Sequence, residues 1–181
     1  GDFGNLMEFS APRTFDFLEY GTAIGTSVRQ SDGDYLIDPD GVGAAVPFTV
    51  SDREQSVAFY ADIIGFTVDR LYELKGDAIE QITAISNVRL KMVHLTLGDF
   101  RLELVEYLEP KGQRPGLPTS NVGVAHIAFN TADVQKAYAT LKAKGVTFKG
   151  APVQAAVDRP LACYFVDPDG ITLELNQQIP S

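Results

Sequence analysis

The chain has 181 residues, of which 45% are hydrophobic and 22% are charged, a composition typical of a soluble globular protein with one core. The formal net charge of -9 argues against binding to nucleic acid or to anionic membrane surfaces. No apolar run approaches the roughly 20 residues that a membrane-spanning helix needs. The single cysteine, Cys163, excludes an internal disulfide and leaves open whether the protein is cytoplasmic or exported.

Residues 1–43 show no helical or strand period, and residues 31–34 have the composition of a turn. We interpret residues 1–43 as an N-terminal extension without an assigned role. Residues 44–178 are then predicted to form a single domain.

The first part of that domain alternates strand and helix signals. The predicted elements are a strand at 45–50, a helix capped by Ser51 or Asp52 and ended by Gly65, a strand at 66–71, a short helix at 78–85, and strands at 87–97 and 100–107. Gly98 and Asp99 stand between two apolar runs, which predicts a two-residue hairpin loop. This unit is module one, residues 44–108.

The pattern recurs after a linker at 109–121 that is rich in proline and glycine. Module two, residues 122–178, has predicted strands at 124–129, 146–149, 161–166 and 171–176, and a helix capped by Thr131 and ended by Gly145. The fold class is therefore α+β, with two βαβββ modules forming curved mixed sheets. Each sheet is expected to pack its helix on one face and to line a cleft with the other.

Alternation along the strands predicts which side chains face the cleft, because successive residues point to opposite sides of a sheet. In the last strand, Thr172, Glu174 and Asn176 alternate with apolar residues. In the second strand of the first hairpin, Arg101 and Glu103 do so. These five side chains are predicted to face the cleft.

Counting outward from the hairpin loops pairs the remaining candidates with them. Thr96 is predicted opposite Arg101, His94 opposite Glu103, and Cys163 opposite Glu174. The pairing is conditional, because a slip of one residue exchanges the two faces of a strand.

Three stretches are similar to a known superfamily. The first is F-T-V-S-D-R-E-Q-S-V-A-F-Y-A-D-I-I-G-F at 48–66, the second H-I-A-F-N-T-A-D at 126–133, and the third Y-F-V-D-P-D-G-I-T-L-E-L at 164–175. They resemble the vicinal oxygen chelate superfamily, which includes glyoxalase I, methylmalonyl-CoA epimerase, extradiol dioxygenases, and fosfomycin and bleomycin resistance proteins. The resemblance implies a glyoxalase-like fold, and this fold hosts many chemistries.

Metal-using members of the superfamily take ligands from the first and last strands of each module. The resemblance carries these positions onto Ala45, Glu103, His126 and Glu174, with Asp52 and Asp133 as the anchors of the alignment. Ala45 cannot bind a metal, so the four-ligand set is incomplete. We expect His126, Glu174 and Glu103 to be the metal ligands.

His94 has three open interpretations: a replacement for the missing ligand, a substrate contact, or a partner of Glu103. His126 has the alternative of a hydrogen-bonded core histidine, and the two glutamates that of carboxylates paired with Arg101 or Arg89. Cys163 is either a nucleophile in the cleft or an ordinary core cysteine.

One imidazole and two carboxylates suit a divalent Zn, Ni, Co, Mn or Fe ion. Such an ion would stabilise enolate-like charge after proton removal beside a carbonyl, with Glu103 as the base. We expect the substrate to contact His94, Thr96, Arg101, Cys163, Thr172 and Asn176.

These assignments predict a metal-dependent lyase or isomerase of the glyoxalase or epimerase type, acting on a small carbonyl or carboxylate compound, and a homodimer. The alternative is a metal-free protein that sequesters a small molecule, as bleomycin resistance proteins do. Ala45 favours the alternative, whereas Glu103, His126 and Glu174 together favour the enzyme.

Overall fold

The computed structural model describes residues 45–98, 100–114, 116, 118–157 and 159–177, together with two short strands at 28–29 and 35–36. The turn predicted at 31–34 and most of the predicted extension lie outside these residues. None of the helices in the described ranges is long and apolar enough to cross a membrane.

The predicted elements occur in the predicted order in both modules, and module two contains one further short strand, at Val153–Gln154, that was not predicted. Before and within module one they are β1 (Val28–Arg29), β2 (Tyr35–Leu36), β3 (Ala45–Thr49), α1 (Arg53–Val57) continuing as a π-helix (Ala58–Ile64), β4 (Thr67–Lys75), α2 (Asp77–Thr83), β5 (Arg89–Leu97) and β6 (Phe100–Glu109). Module two contains β7 (Ile127–Thr131), α3 (Val134–Ala143), β8 (Thr147–Phe148), β9 (Val153–Gln154), β10 (Leu161–Val166) and β11 (Thr172–Gln177).

Each module forms one mixed sheet, which confirms the predicted α+β class. The order is β3-β6-β5-β4 in module one and β7-β11-β10-β8 in module two, with β9 also paired to β10. The first and last strands of each module are parallel neighbours, and the other pairs are antiparallel. The two sheets are therefore built on the same plan.

Both main helices begin at an aspartate that follows the first strand of its module. The Asp52 carboxylate accepts from the backbone N–H of Gln55 at 2.9 Å, and the Asp133 carboxylate accepts from Lys136 N–H at 2.9 Å. The cap predicted at Thr131 is wrong, because Thr131 is still the last residue of β7 and is fully buried. Strand pairing extends two residues further than the apolar pattern indicated.

The helix-packed sides of the two sheets share one core. Phe66 of module one lies edge-on to Phe129 of module two, with ring centroids 6.1 Å apart. The buried Tyr60 hydroxyl donates to the Asp167 carboxylate at 3.1 Å, which joins α1's π-helical end to the β10–β11 turn. Burial raises the pKa of Asp167, although its hydrogen bonds act in the opposite direction.

The first hairpin has the predicted register. His94 pairs with Glu103, and Thr96 pairs with Arg101. Leu102, between Arg101 and Glu103, and Leu104, directly after Glu103, are both fully buried. The prediction that Arg101 and Glu103 share the face opposite the core is thus confirmed.

The second hairpin is shifted by one residue from the prediction. Tyr164, and not Cys163, lies opposite Glu174, and Cys163 lies opposite Leu175. The predicted pairing required a loop of four residues, 167–170, whereas the observed loop between β10 and β11 spans residues 167–171. The loop is longer because the Asp167 carboxylate accepts from the N–H groups of both Asp169 and Ile171. Ile171 is therefore part of the turn, and β11 starts at Thr172.

This shift moves Cys163 to the core side of the sheet, where it is 7% exposed. Burial, and to a smaller extent the charge of Glu174, raises the pKa of the thiol to about 11. The predicted contact of Cys163 with substrate is inconsistent with this position, and the interpretation as a core cysteine is the correct one.

Tyr60→Phe should lower the free energy of unfolding at pH 7 by about 1–3 kcal/mol, because the buried Asp167 carboxylate loses a donor. A raised pKa means that the folded state binds more protons than the unfolded state, so stability falls as pH rises above the ordinary aspartate pKa. In the variant, the free energy of unfolding should fall more steeply with rising pH. The loss of stability caused by the substitution should be smaller at a pH where Asp167 is protonated. Urea unfolding at pH 7 and pH 4 measures both effects. Tyr138→Phe, whose hydroxyl accepts from the exposed Lys142, is the control; an equal cost at both pH values would contradict the account.

Cys163 should react with an aromatic disulfide reagent at pH 8 at least about 100-fold more slowly in the folded protein than in urea, because the thiol is buried and protonated. Absorbance of the released thiolate follows the reaction. Fast labelling of the folded chain would show that Cys163 is accessible from the polar face after all.

Candidate functional site

Module one holds a histidine and a glutamate side by side on the face opposite the core. His94 Nε2 lies 3.0 Å from Glu103 Oε2, and the side chains are 15% and 23% exposed. The pairing follows from the hairpin, since directly opposite residues on one face have their Cβ atoms about 5 Å apart. The pairing of β5 with β6 therefore holds His94 Nε2 and Glu103 Oε2 close together.

Module two holds a second pair of the same kind. His126 Nε2 lies 3.1 Å from Glu174 Oε2. Glu174 is on β11, while His126 immediately precedes β7 instead of lying within a strand as predicted. Its side chain is 37% exposed, so His126 is not the core histidine that we considered as the alternative.

The strand pairing shows that the two pairs are related but not identical. Pro47 is the parallel neighbour of Glu103, and Ala128 is that of Glu174, so Ala45 and His126 occupy equivalent positions two residues earlier. His94 lies directly opposite Glu103 as Tyr164 lies directly opposite Glu174. Each glutamate thus has one histidine partner. In module one, His94 comes from the antiparallel neighbour β5; in module two, His126 comes from the residue just before the parallel neighbour β7.

A tyrosine ring lies against each histidine. The rings of Tyr72 and His94 are 5.2 Å apart, and those of His126 and Tyr164 are 5.3 Å apart, both at steep angles. Sequence reasoning missed both tyrosines. Tyr72 stood just beyond the predicted end of its strand, and Tyr164 was assigned to the wrong face by the register error.

The remaining predicted residues surround the pairs. Thr96, beside His94 on β5, donates from Oγ1 to an Asp69 carboxylate oxygen at 3.2 Å, and Arg101 is its cross-strand partner. Thr172 and Asn176 flank Glu174 on β11, on the same face. Thr172 is only 1% exposed, because Lys149 lies over it.

The two His–Glu pairs do not meet within one chain. Both sheets pack their apolar sides into the shared core, so the sides that carry the pairs face away from it. Among the described residues, no three His, Cys, Asp or Glu side chains are placed so that they could hold one metal ion. The core packing therefore excludes a cleft in which the two polar faces of one chain meet.

A separate small cavity of about 80 Å³ lies where the linker meets the β10–β11 turn. Arg114 closes one side of it by pairing with Asp169 at 2.8 Å and donating to Ser51 Oγ at 2.6 Å. None of the predicted site residues lines it, so the cavity is distinct from both His–Glu pairs.

Known proteins match this architecture. The sequence-family model of the Glyoxalase/Bleomycin resistance protein/Dioxygenase superfamily matches residues 38–175. A 2-epi-5-epi-valiolone epimerase from an Actinomyces species is 35% identical over 143 residues, which cover 72% of this chain and 75% of that protein.

Solved structures agree in fold. A glyoxalase family protein from Bacillus cereus has a TM-score of 0.67 at 19% identity, covering 75% of this chain and 93% of its own. One from Enterococcus faecalis has a TM-score of 0.57 at 26% identity, covering 74% and 94%. The resemblance noted in the sequence is confirmed, and the chain belongs to the glyoxalase, bleomycin resistance protein and dioxygenase superfamily.

Proposed function

We propose that the protein is a metal-dependent isomerase of the epimerase type, which moves a proton at a carbon beside a carbonyl group in a small molecule. The observation that carries this proposal is the presence of two His–Glu pairs, one on each module, whose glutamates occupy the equivalent last strands and whose N–O separations are 3.0 and 3.1 Å. The similarity to a protein named as an epimerase supports the same reaction class.

Each pair has the spacing of two ligands of one ion. Donor atoms that lie about 2.1 Å from the same ion are roughly 3.0–3.4 Å apart, for octahedral to tetrahedral angles. Two donors are too few for a stable site, so the pairs have to combine. Because one chain directs them apart, we propose a homodimer in which module one of one copy faces module two of the other.

In this dimer, His126 and Glu174 of one copy and His94 and Glu103 of the other would bind one ion together. His94 would supply the ligand that the alanine at position 45 cannot provide. Imidazole nitrogens and carboxylate oxygens suit Zn, Ni, Co, Mn or Fe in the divalent state. A divalent ion held there would supply a Lewis acid that stabilises negative charge on the carbonyl oxygen of the substrate.

The protein groups perform the proton transfer. The Glu103 carboxylate removes the proton from the carbon beside the carbonyl, and the C–H electron pair moves toward the carbonyl oxygen. A proton from solvent water then returns to the opposite side of that carbon, which inverts its configuration, and Glu103 releases the proton that it took to solvent. The rings of Tyr72 and Tyr164 exclude water from one side of each histidine, and Arg101, Thr96 and Asn176 offer polar contacts that orient the substrate.

Glu103→Gln should slow proton exchange at the reacting carbon by about 100-fold or more, because it removes the base. The assay incubates the Mn²⁺-loaded protein in D₂O with a panel of 2-hydroxy ketones and 2-substituted 3-oxo acids, and NMR follows loss of the proton signal. Glu109→Gln, an exposed carboxylate on the same strand, should change nothing. Absence of exchange with every compound of the panel would contradict the proposed reaction.

His94→Ala should lower the affinity for Mn²⁺ at least about tenfold, and the double variant Ala45→His with His94→Ala should regain it. The reason is that Ala45 and His94 flank Glu103 from its two neighbouring strands, so either position can supply the imidazole. Electron paramagnetic resonance of free Mn²⁺ measures the affinity without reference to activity. If His94→Ala binds as tightly as the parent protein, His94 is not a ligand.

Ala45 is the one observation that favours a second candidate, a metal-free protein that binds a small molecule. In that case Mn²⁺, Ni²⁺, Co²⁺ and Zn²⁺ would all leave the thermal stability unchanged, whereas a metal protein gains stability in proportion to the logarithm of free metal concentration.

A further inference from the structure

Lys149 places its ammonium group on the polar face of module two. Its Nζ donates to Thr172 Oγ1 at 2.7 Å and to Thr119 Oγ1 at 2.6 Å. Thr172 is two residues before Glu174 on β11, so the two side chains point to the same face about 7 Å apart along the strand. The cation is therefore fixed beside the His126–Glu174 pair.

Tyr164 connects the two groups. Its ring lies 5.3 Å from the His126 ring and 6.0 Å from Lys149 Nζ. A small molecule that covers this ring would reach His126 and Glu174 at one end and the ammonium group at the other.

Lys149 differs from the paired cations elsewhere in the described part of the chain. Arg53, Arg89, Lys91 and Arg114 each form an ion pair with a carboxylate. Within the described ranges, Lys149 contacts two neutral hydroxyls and a tyrosine ring, which orient the ammonium group without neutralising it. In a protein with a net charge of -9, this leaves positive charge localised next to the proposed reaction site.

We propose that Lys149, held by Thr119 and Thr172 above Tyr164, is an anion subsite that binds a carboxylate of the substrate. This inference rests on the proposed function for the other end of the molecule, where the carbonyl lies near His126 and Glu174. The substrate class is then a carbonyl compound that carries a separate carboxylate, and Lys149 determines the preference for it over neutral analogues.

Two probes that differ in a single group test the subsite. 2-Oxoglutarate and its 5-methyl ester share a 2-oxo acid end, while the distal group is a carboxylate in the first and a neutral ester in the second. Calorimetry of the full protein, with and without Mn²⁺, should give at least about tenfold tighter binding of 2-oxoglutarate, since a charge-assisted hydrogen bond is worth more than a neutral one.

Variants assign this preference to Lys149. Lys149→Gln should abolish the preference, and Lys149→Arg should keep it. Lys142→Gln is the matched control, because Lys142 also contacts a hydroxyl, that of Tyr138 at 3.0 Å, and also lies near a tyrosine ring, but on the surface of α3. This variant should keep the preference.

The outcomes separate the subsite from the proposed function. A preference that persists in Lys149→Gln, or that is absent from the parent protein, would overturn the subsite. If Mn²⁺ does not tighten either probe, the proposed metal centre fails, whereas loss of the preference in Lys149→Gln still supports the subsite.

Discussion

The site depends on one constraint, which is that each sheet has a single face available for polar groups. Side chains alternate along a strand, and the apolar half of each strand is committed to a core that the two modules share. Glu103 and Glu174 each lie between two fully buried leucines and therefore project from the other face. The same packing that stabilises the domain directs the His94–Glu103 and His126–Glu174 pairs outward, to opposite sides of the core.

The outward direction makes a second copy of the chain part of the proposed site. A single pair supplies two donors, and the proposed chemistry needs both pairs around one ion. The proposed role of His94 as the ligand in place of position 45 fits this scheme. Strand β6 has a neighbour on each side, so a ligand can approach Glu103 from β3 or from β5. Lys149, Thr172 and Tyr164 belong to the same module as His126 and Glu174, so they would reach the shared cleft together.

Local patterns predicted the parts of the structure that depend on local interactions. The Gly98–Asp99 loop has a fixed length, so counting outward from it placed His94 opposite Glu103 correctly. The second hairpin was displaced because the Asp167 side chain binds two backbone N–H groups of the turn, and this added one residue that no strand pattern indicates. This error of one residue placed Cys163 on the polar face in the prediction, whereas Tyr164 occupies that position in the structure. The relative orientation of the modules follows from contacts such as Phe66–Phe129 and Tyr60–Asp167, which join distant parts of the chain and have no signature in a local pattern.

A mixed dimer tests the shared site most directly. One chain carries His94→Ala and Glu103→Ala, the other carries His126→Ala and Glu174→Ala, and different affinity tags allow purification of the heterodimer. Each homodimer lacks half of the ligands at every site and should bind no Mn²⁺. The heterodimer contains one site with all four ligands intact and should bind one ion per two chains. A heterodimer that binds no metal, while the parent protein binds one ion per chain, would show that the ligands do not come from two copies and would contradict the account.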